Sequence, residues 1–190
     1  MHRISPTDYG PVFASLIDTD RLRSLGIGRA DGARRDELEA ATLDAAFAHA
    51  SVVDREMARC CLAGVWLLHD FLDDSHAISQ GVSTPTGSFW HGVMHRREGD
   101  FSNAKYWFRR VGAHEVYPAL GEFAMAAASD PGTAAIARQV APNGEWSASA
   151  FVDACQSAVR SGSHVDLCRK LQQAEWDSLF DYSYRGAVGN

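Results

Sequence analysis

The chain has 190 residues, 46% of them hydrophobic and 22% charged, with a formal net charge of -6. That length suits one domain, spanning 1–190, whose core needs no disulfide staples. The composition excludes disorder, and the negative balance argues against nucleic-acid binding, which needs a basic face.

In chain order, Ser5-Pro6-Thr7-Asp8 opens a short helix through Val12, Leu16 and Ile17, with proline in the first turn and an acid close behind. A glycine-bearing loop follows over 26–32, and good helix formers then run from Arg34 to about His49. From Asp54 to beyond Asp70 the apolar residues Met57, Cys61, Gly64, Val65, Leu68 and Leu72 recur at spacings of three and four. This predicts a buried helix, placed at the centre of the fold. A polar loop over 81–87 separates it from a helix over Phe89–Glu98, closed by Gly99. Asp100 or Ser102 caps the next, which runs to Val111. Further helices are expected over Pro118–Ala128, after the Asp130-Pro131 start, and from Ser147 or Ser149 to Val159. Ser163 with Asp166 resembles a capping box and opens the last helix, through Leu171, Trp176 and Leu179. Strand-type alternation is nowhere sustained and no repeat period emerges. The expectation is an all-α globular bundle of roughly seven to nine helices, not a repeat array.

The longest apolar run, Cys60 to Leu68, is too short for a membrane span of about 20 residues. The opening MHRISPTDYG lacks the apolar stretch of a secretory signal. Four cysteines without CxxC spacing read as packing residues in a reducing interior, so a cytoplasmic location is expected. Homo-oligomerisation is left open.

Two segments carry polar residues at helical spacing. His69, Asp73 and His76 are separated by four and three, and so are His91, His95 and Glu98. On a helix each trio falls within about 60° of arc. Facing helices bearing such trios build metal sites in bundles, and mixed nitrogen and oxygen ligation suits Zn, Fe, Mn or Ni. All six residues are therefore candidate ligands. Without a metal, His91 or His95 would act as general base with Asp73 orienting it. The competing reading makes the aspartates caps or a solvated helix end, and pairs Glu98 with an arginine.

A second candidate is a basic strip of Arg96, Arg97, Lys105, Arg109 and Arg110, with Asn103 in the first turn of the following helix. Arginine forks there would grip a phosphate or carboxylate, unless they pair with acids of the chain itself. Phe89, Trp90, Tyr106, Trp107 and Phe108 read mainly as core. His114 falls in a loop close to the same segment, while His2, His49 and His164 have no such company. GxSxG, P-loop, GxGxxG and HExxH signatures are missing from the sequence.

The run SFWHGVMHRREGDFSNAKYWFRRVG from Ser88 to Gly112, preceded by LHDFLDDSHAISQ, resembles a family of uncharacterised bacterial proteins. The resemblance covers about 45 residues, Leu68 to Gly112, and implies no activity. Family members tend to have proline after the histidine matching His114, where this chain has Glu115. NAKYWFRR is also similar to one end of a Sel1-type repeat, without a second copy. The preferred functional expectation is a small-molecule enzyme with a His/Asp/Glu site, carrying out acid–base or metal-assisted hydrolysis. A binding module for an anionic small ligand and a helical protein-interaction domain are its rivals.

Overall fold

The computed structural model describes residues 4–18 and 22–190; His2 lies outside them. Among the described residues there are eleven α-helices and no strand, the all-α architecture that the apolar periodicity predicts. They are α1 (Pro11–Leu16), α2 (Arg35–Ala40), α3 (Leu43–Ala46), α4 (Arg55–Leu68), α5 (Leu72–Ser79), α6 (Pro85–Glu98), α7 (Phe101–Val111), α8 (Tyr117–Ala126), α9 (Pro131–Val140), α10 (Ala148–Ser161) and α11 (Val165–Val188).

The count exceeds the sequence expectation because two runs read as single helices are broken. The first is 34–49. Thr42 is extended there, and its hydroxyl accepts from the Ala45 amide, so it starts α3 instead of continuing α2. The second break shapes the site. Helix α4 starts at Asp54, whose carboxylate accepts from the amides of Glu56 and Met57, but it stops at Leu68. Asp70 then adopts φ 64°, the left-handed conformation usually left to glycine. The Asp70 amide donates to the Leu67 carbonyl and the Phe71 amide to that of Trp66. Phe71 packs edge-on against Trp66 at 5.4 Å, which completes a Schellman ending. The chain thereby reverses into α5, and the Ser75 hydroxyl holds α5 on α4 by donating to the Ala63 carbonyl at 2.9 Å.

Helix α6 begins earlier than the sequence reading placed it. Thr84 caps it by accepting from the Gly87 amide, with Pro85 at the first helical position, a start signal hidden inside the stretch read as loop. At the other end of the chain, Ser163 does not cap α11; His164 takes that position at φ 58°, and the helix runs on to Val188.

The core is formed around α4, which holds the central place that periodicity predicts, and α6, which shares it. Every residue from Thr86 to Arg97 is buried. Helix α6 packs against α4, α5 and α7. It reaches α11 through Trp90, whose indole donates to the Ser183 hydroxyl at 3.1 Å, and through Arg96, paired with Glu175. Trp176 of α11 in turn donates to the Gly64 carbonyl of α4 at 2.9 Å. All four cysteines are buried free thiols. Burial pushes the Cys60 thiol up to about 12, which suits a packing role. Cys155 on α10 and Cys168 on α11 are both buried, and burial pushes the Cys155 thiol well above its ordinary value.

Helix α8 approaches the 142–146 turn so closely that a Cβ on Gly121 would lie 2.1 Å from the Gly144 carbonyl oxygen. Backbone on both sides cannot yield cheaply. Gly121→Ala is therefore expected to cost about 1–3 kcal/mol, read as a lower urea midpoint at unchanged m-value.

Candidate metal centre

The reversal after α4 lays α5 alongside α6. His76 of α5 there meets His91 and His95, which lie one turn apart on α6. One ligand atom from each of the three imidazoles lies within 4.8 Å of the others, so the group could hold a metal ion. The ring centroids are 4.7 Å apart for His76 and His91, 5.2 Å for His76 and His95, and 4.8 Å for His91 and His95. Tetrahedral ligation at about 2.0–2.1 Å per bond sets nitrogens roughly 3.3 Å apart, so the rings would draw in on binding an ion.

His91 is the least satisfied member. It is 2% exposed, and neither ring nitrogen has a hydrogen-bond partner among the described residues. Leaving a buried polar group unpaired costs about 1–3 kcal/mol. Trp107 of α7 stacks on its ring, with centroids 3.9 Å apart and planes 18° from parallel, which fixes the imidazole plane. Burial, and then the neighbouring His95 and His76, push the His91 pKa down to about 3. The ring is thus held neutral, the form that can donate a lone pair.

His95 has a defined second contact. Its Nδ1 lies 2.8 Å from the Glu98 carboxylate, an i,i+3 pair on α6. That contact favours a proton on Nδ1 and leaves Nε2 with its lone pair. The Asn103 amide, from the first turn of α7, sits 3.1 Å from that Nε2. It is positioned by the Asp100 cap that starts α7 directly after the left-handed Gly99.

Three of the six residues named from spacing, His69, Asp73 and Glu98, are not members of this group. His69 is the C-cap of α4, and its Nε2 contacts the Leu16 carbonyl oxygen at 2.7 Å, away from the other histidines. The left-handed Asp70 separates it from Asp73 and His76, so these three never form one helical stripe. Asp73 is exposed in the first turn of α5, outside the converging set. Glu98 reaches the centre through His95.

The basic strip is dispersed. Arg96 is fully buried and forks onto Glu175, itself fully buried, with its guanidinium 4.5 Å from the Phe151 ring centroid. Arg97 pairs with Asp70, both largely buried, and its Nε donates to the Gly26 carbonyl. Lys105 pairs with Asp153. Arg109 and Arg110 are exposed, and the Arg110 guanidinium lies 5.3 Å from the Trp107 ring centroid. Two of the four arginines that spacing grouped as one anion grip, Arg96 and Arg97, are thus engaged inside the protein. Nothing in the sequence pointed to Glu175, 79 positions from Arg96. Trp107 and Asn103 are at i,i+4 on α7, a spacing that could have tied both to the histidines.

His114 stands apart from the trio. It packs edge-on against Phe89 at 5.1 Å and against Tyr182 at 4.8 Å, and its Nε2 lies 3.3 Å from the Thr86 hydroxyl. Burial pushes its pKa down to about 4. The folded state disfavours the protonated form, so this contribution to stability is complete above the unfolded value of about 6.5 and is lost as pH falls toward 4. The loss approaches roughly 1.4 kcal/mol per pH unit within that window. Urea midpoints of the metal-free protein between pH 7 and 4.5 should fall more steeply for wild type than for His114→Gln. Equal slopes would contradict this assignment.

Comparison with protein-family models, with curated proteins and with solved structures returned no match. No described helix is long and apolar enough to cross a membrane.

Proposed function

We propose that the chain is a small-molecule enzyme built on a divalent transition metal held by His76, His91 and His95. The observation that carries this reading is His91, a buried imidazole with two unpaired nitrogens placed beside two other imidazoles. A three-histidine set leaves a coordination position open, as catalytic sites require and closed structural sites do not. An ion so held acts as a Lewis acid and lowers the pKa of bound water to about 7, which suits hydrolysis of a polar bond. Nitrogen-only ligation favours Zn, Ni or Fe over the oxygen-seeking Mg or Ca.

The chain's own residues have distinct tasks in this scheme. Trp107 holds the His91 ring plane and keeps water from one face of it. Glu98 accepts the Nδ1 proton of His95, which makes Nε2 the ligand atom and raises its basicity. His76 is the half-buried member, so substrate would approach from its side. Asp73, one turn earlier on α5 and exposed, would supply a carboxylate for proton transfer on that side, since Asp74 is engaged by Arg35.

The reading is tested by metal analysis of protein purified without a histidine tag. About one transition metal per chain is expected, lost in the His91→Ala/His95→Ala variant at unchanged helical content. Protein that retains no Zn, Ni, Co or Fe after incubation and desalting would refute it.

A further inference from the structure

A cavity of about 480 Å³ opens between the start of α8 and the 142–146 turn, away from the three histidines. This volume is in the range of small-ligand sites. Its walls are aromatic and apolar, from Trp146, Tyr117, Pro118 and His114. The charged residues lining it are two carboxylates, Glu122 and Glu145, both exposed, and neither forms an ion pair among the described residues. No lysine or arginine among the described residues lines it. Burial keeps His114 neutral, so that wall adds no positive charge. Trp146 is 5% exposed and its indole N–H is closed to solvent, so what it offers the cavity is ring surface.

These features select a ligand by chemistry. Two unpaired carboxylates at an apolar mouth repel anions and attract cations. Aromatic walls suit an alkylammonium group, which is attracted by ring faces and is weakly hydrated compared with a metal ion. We infer that this cavity binds a small organic cation of the alkylammonium class, through Glu122, Glu145, Trp146 and Tyr117. The turn that carries Glu145 and Trp146 is held against α8 by the close approach of Gly144 to Gly121, so the walls are preformed.

Calorimetric titration of the full chain with choline, tetramethylammonium and 3,3-dimethyl-1-butanol tests this. The last is the neutral isostere of choline. Choline is expected to bind at one site per chain, at least tenfold more tightly than the neutral isostere. Glu122→Gln/Glu145→Gln changes only exposed side chains and should remove most of that preference. His91→Ala/His95→Ala should bind choline as wild type does, which separates this site from the metal centre. No binding of choline, equal binding of the neutral isostere, or undiminished cation preference in the double glutamine variant would overturn the inference.

Discussion

Glu175→Leu should destabilise the protein by about 3–5 kcal/mol, the largest stability loss expected of a single substitution here. Glu175 and Arg96 are both fully buried and meet fork to fork, with Nη1 to Oε1 at 3.1 Å and a shorter second bond. Removing the carboxylate strands a guanidinium where water cannot reach it. The cation–π contact with Phe151 cannot offset that, since such contacts supply only about 0.5–2 kcal/mol. Arg96 Nε already lacks a partner, so the arginine has no second acceptor to fall back on. Replacing both residues with apolar ones of similar size, Arg96→Met/Glu175→Leu, should recover most of the loss, because the pair's mutual attraction barely exceeds its desolvation cost. Urea denaturation of the two single variants and the double variant gives the coupling directly. A loss under about 1 kcal/mol for Glu175→Leu would contradict the pairing. The pair also joins α6 to α11 one residue beyond His95, so its loss should loosen the histidine group as well.

Glu98→Gln should weaken metal binding by about ten- to a hundredfold while leaving the fold intact. Glu98 is not placed as a ligand. It acts on His95, and the amide that replaces it is a poorer acceptor for the Nδ1 proton. Its side chain is 47% exposed, so stability without metal should change little. Metal itself should stabilise the folded state, by about 2.7 kcal/mol when the free ion is at a hundred times its dissociation constant. His91→Ala should abolish that gain. Thermal unfolding of wild type, Glu98→Gln and His91→Ala across a zinc titration separates the cases. A Glu98→Gln midpoint that follows wild type at every zinc concentration would remove Glu98 from the scheme.

The helical class and most helix starts could be read from sequence because caps are local. Asp130 caps where its position predicted, Asp100 proves to be the cap of the two candidates at 100 and 102, and Asp54 caps the helix read as starting there. The missed boundaries have local causes too. Asp70 supplies a left-handed turn without glycine, held by its ion pair with Arg97, and no short-range signal distinguishes it from a helical aspartate. The central position of α6 was hidden because it buries His91, His95, Arg96 and Arg97, residues that hydrophobic patterning assigns to solvent. Three of the six residues picked by spacing do meet, since His91 and His95 share one helix and α5 returns against it. His69 was misassigned because the stripe assumed a helix continuous through Asp70. The partners of the arginines depend on tertiary packing across as many as 79 positions, beyond the reach of spacing arguments.

The most direct test is anomalous diffraction at the zinc edge from crystals of the untagged protein grown with one equivalent of zinc. A single strong peak is expected about 2.0–2.1 Å from one nitrogen each of His76, His91 and His95, with Glu98 still on His95 Nδ1. A peak at His49 or His164 instead, or none among the three imidazoles, would contradict the metal centre.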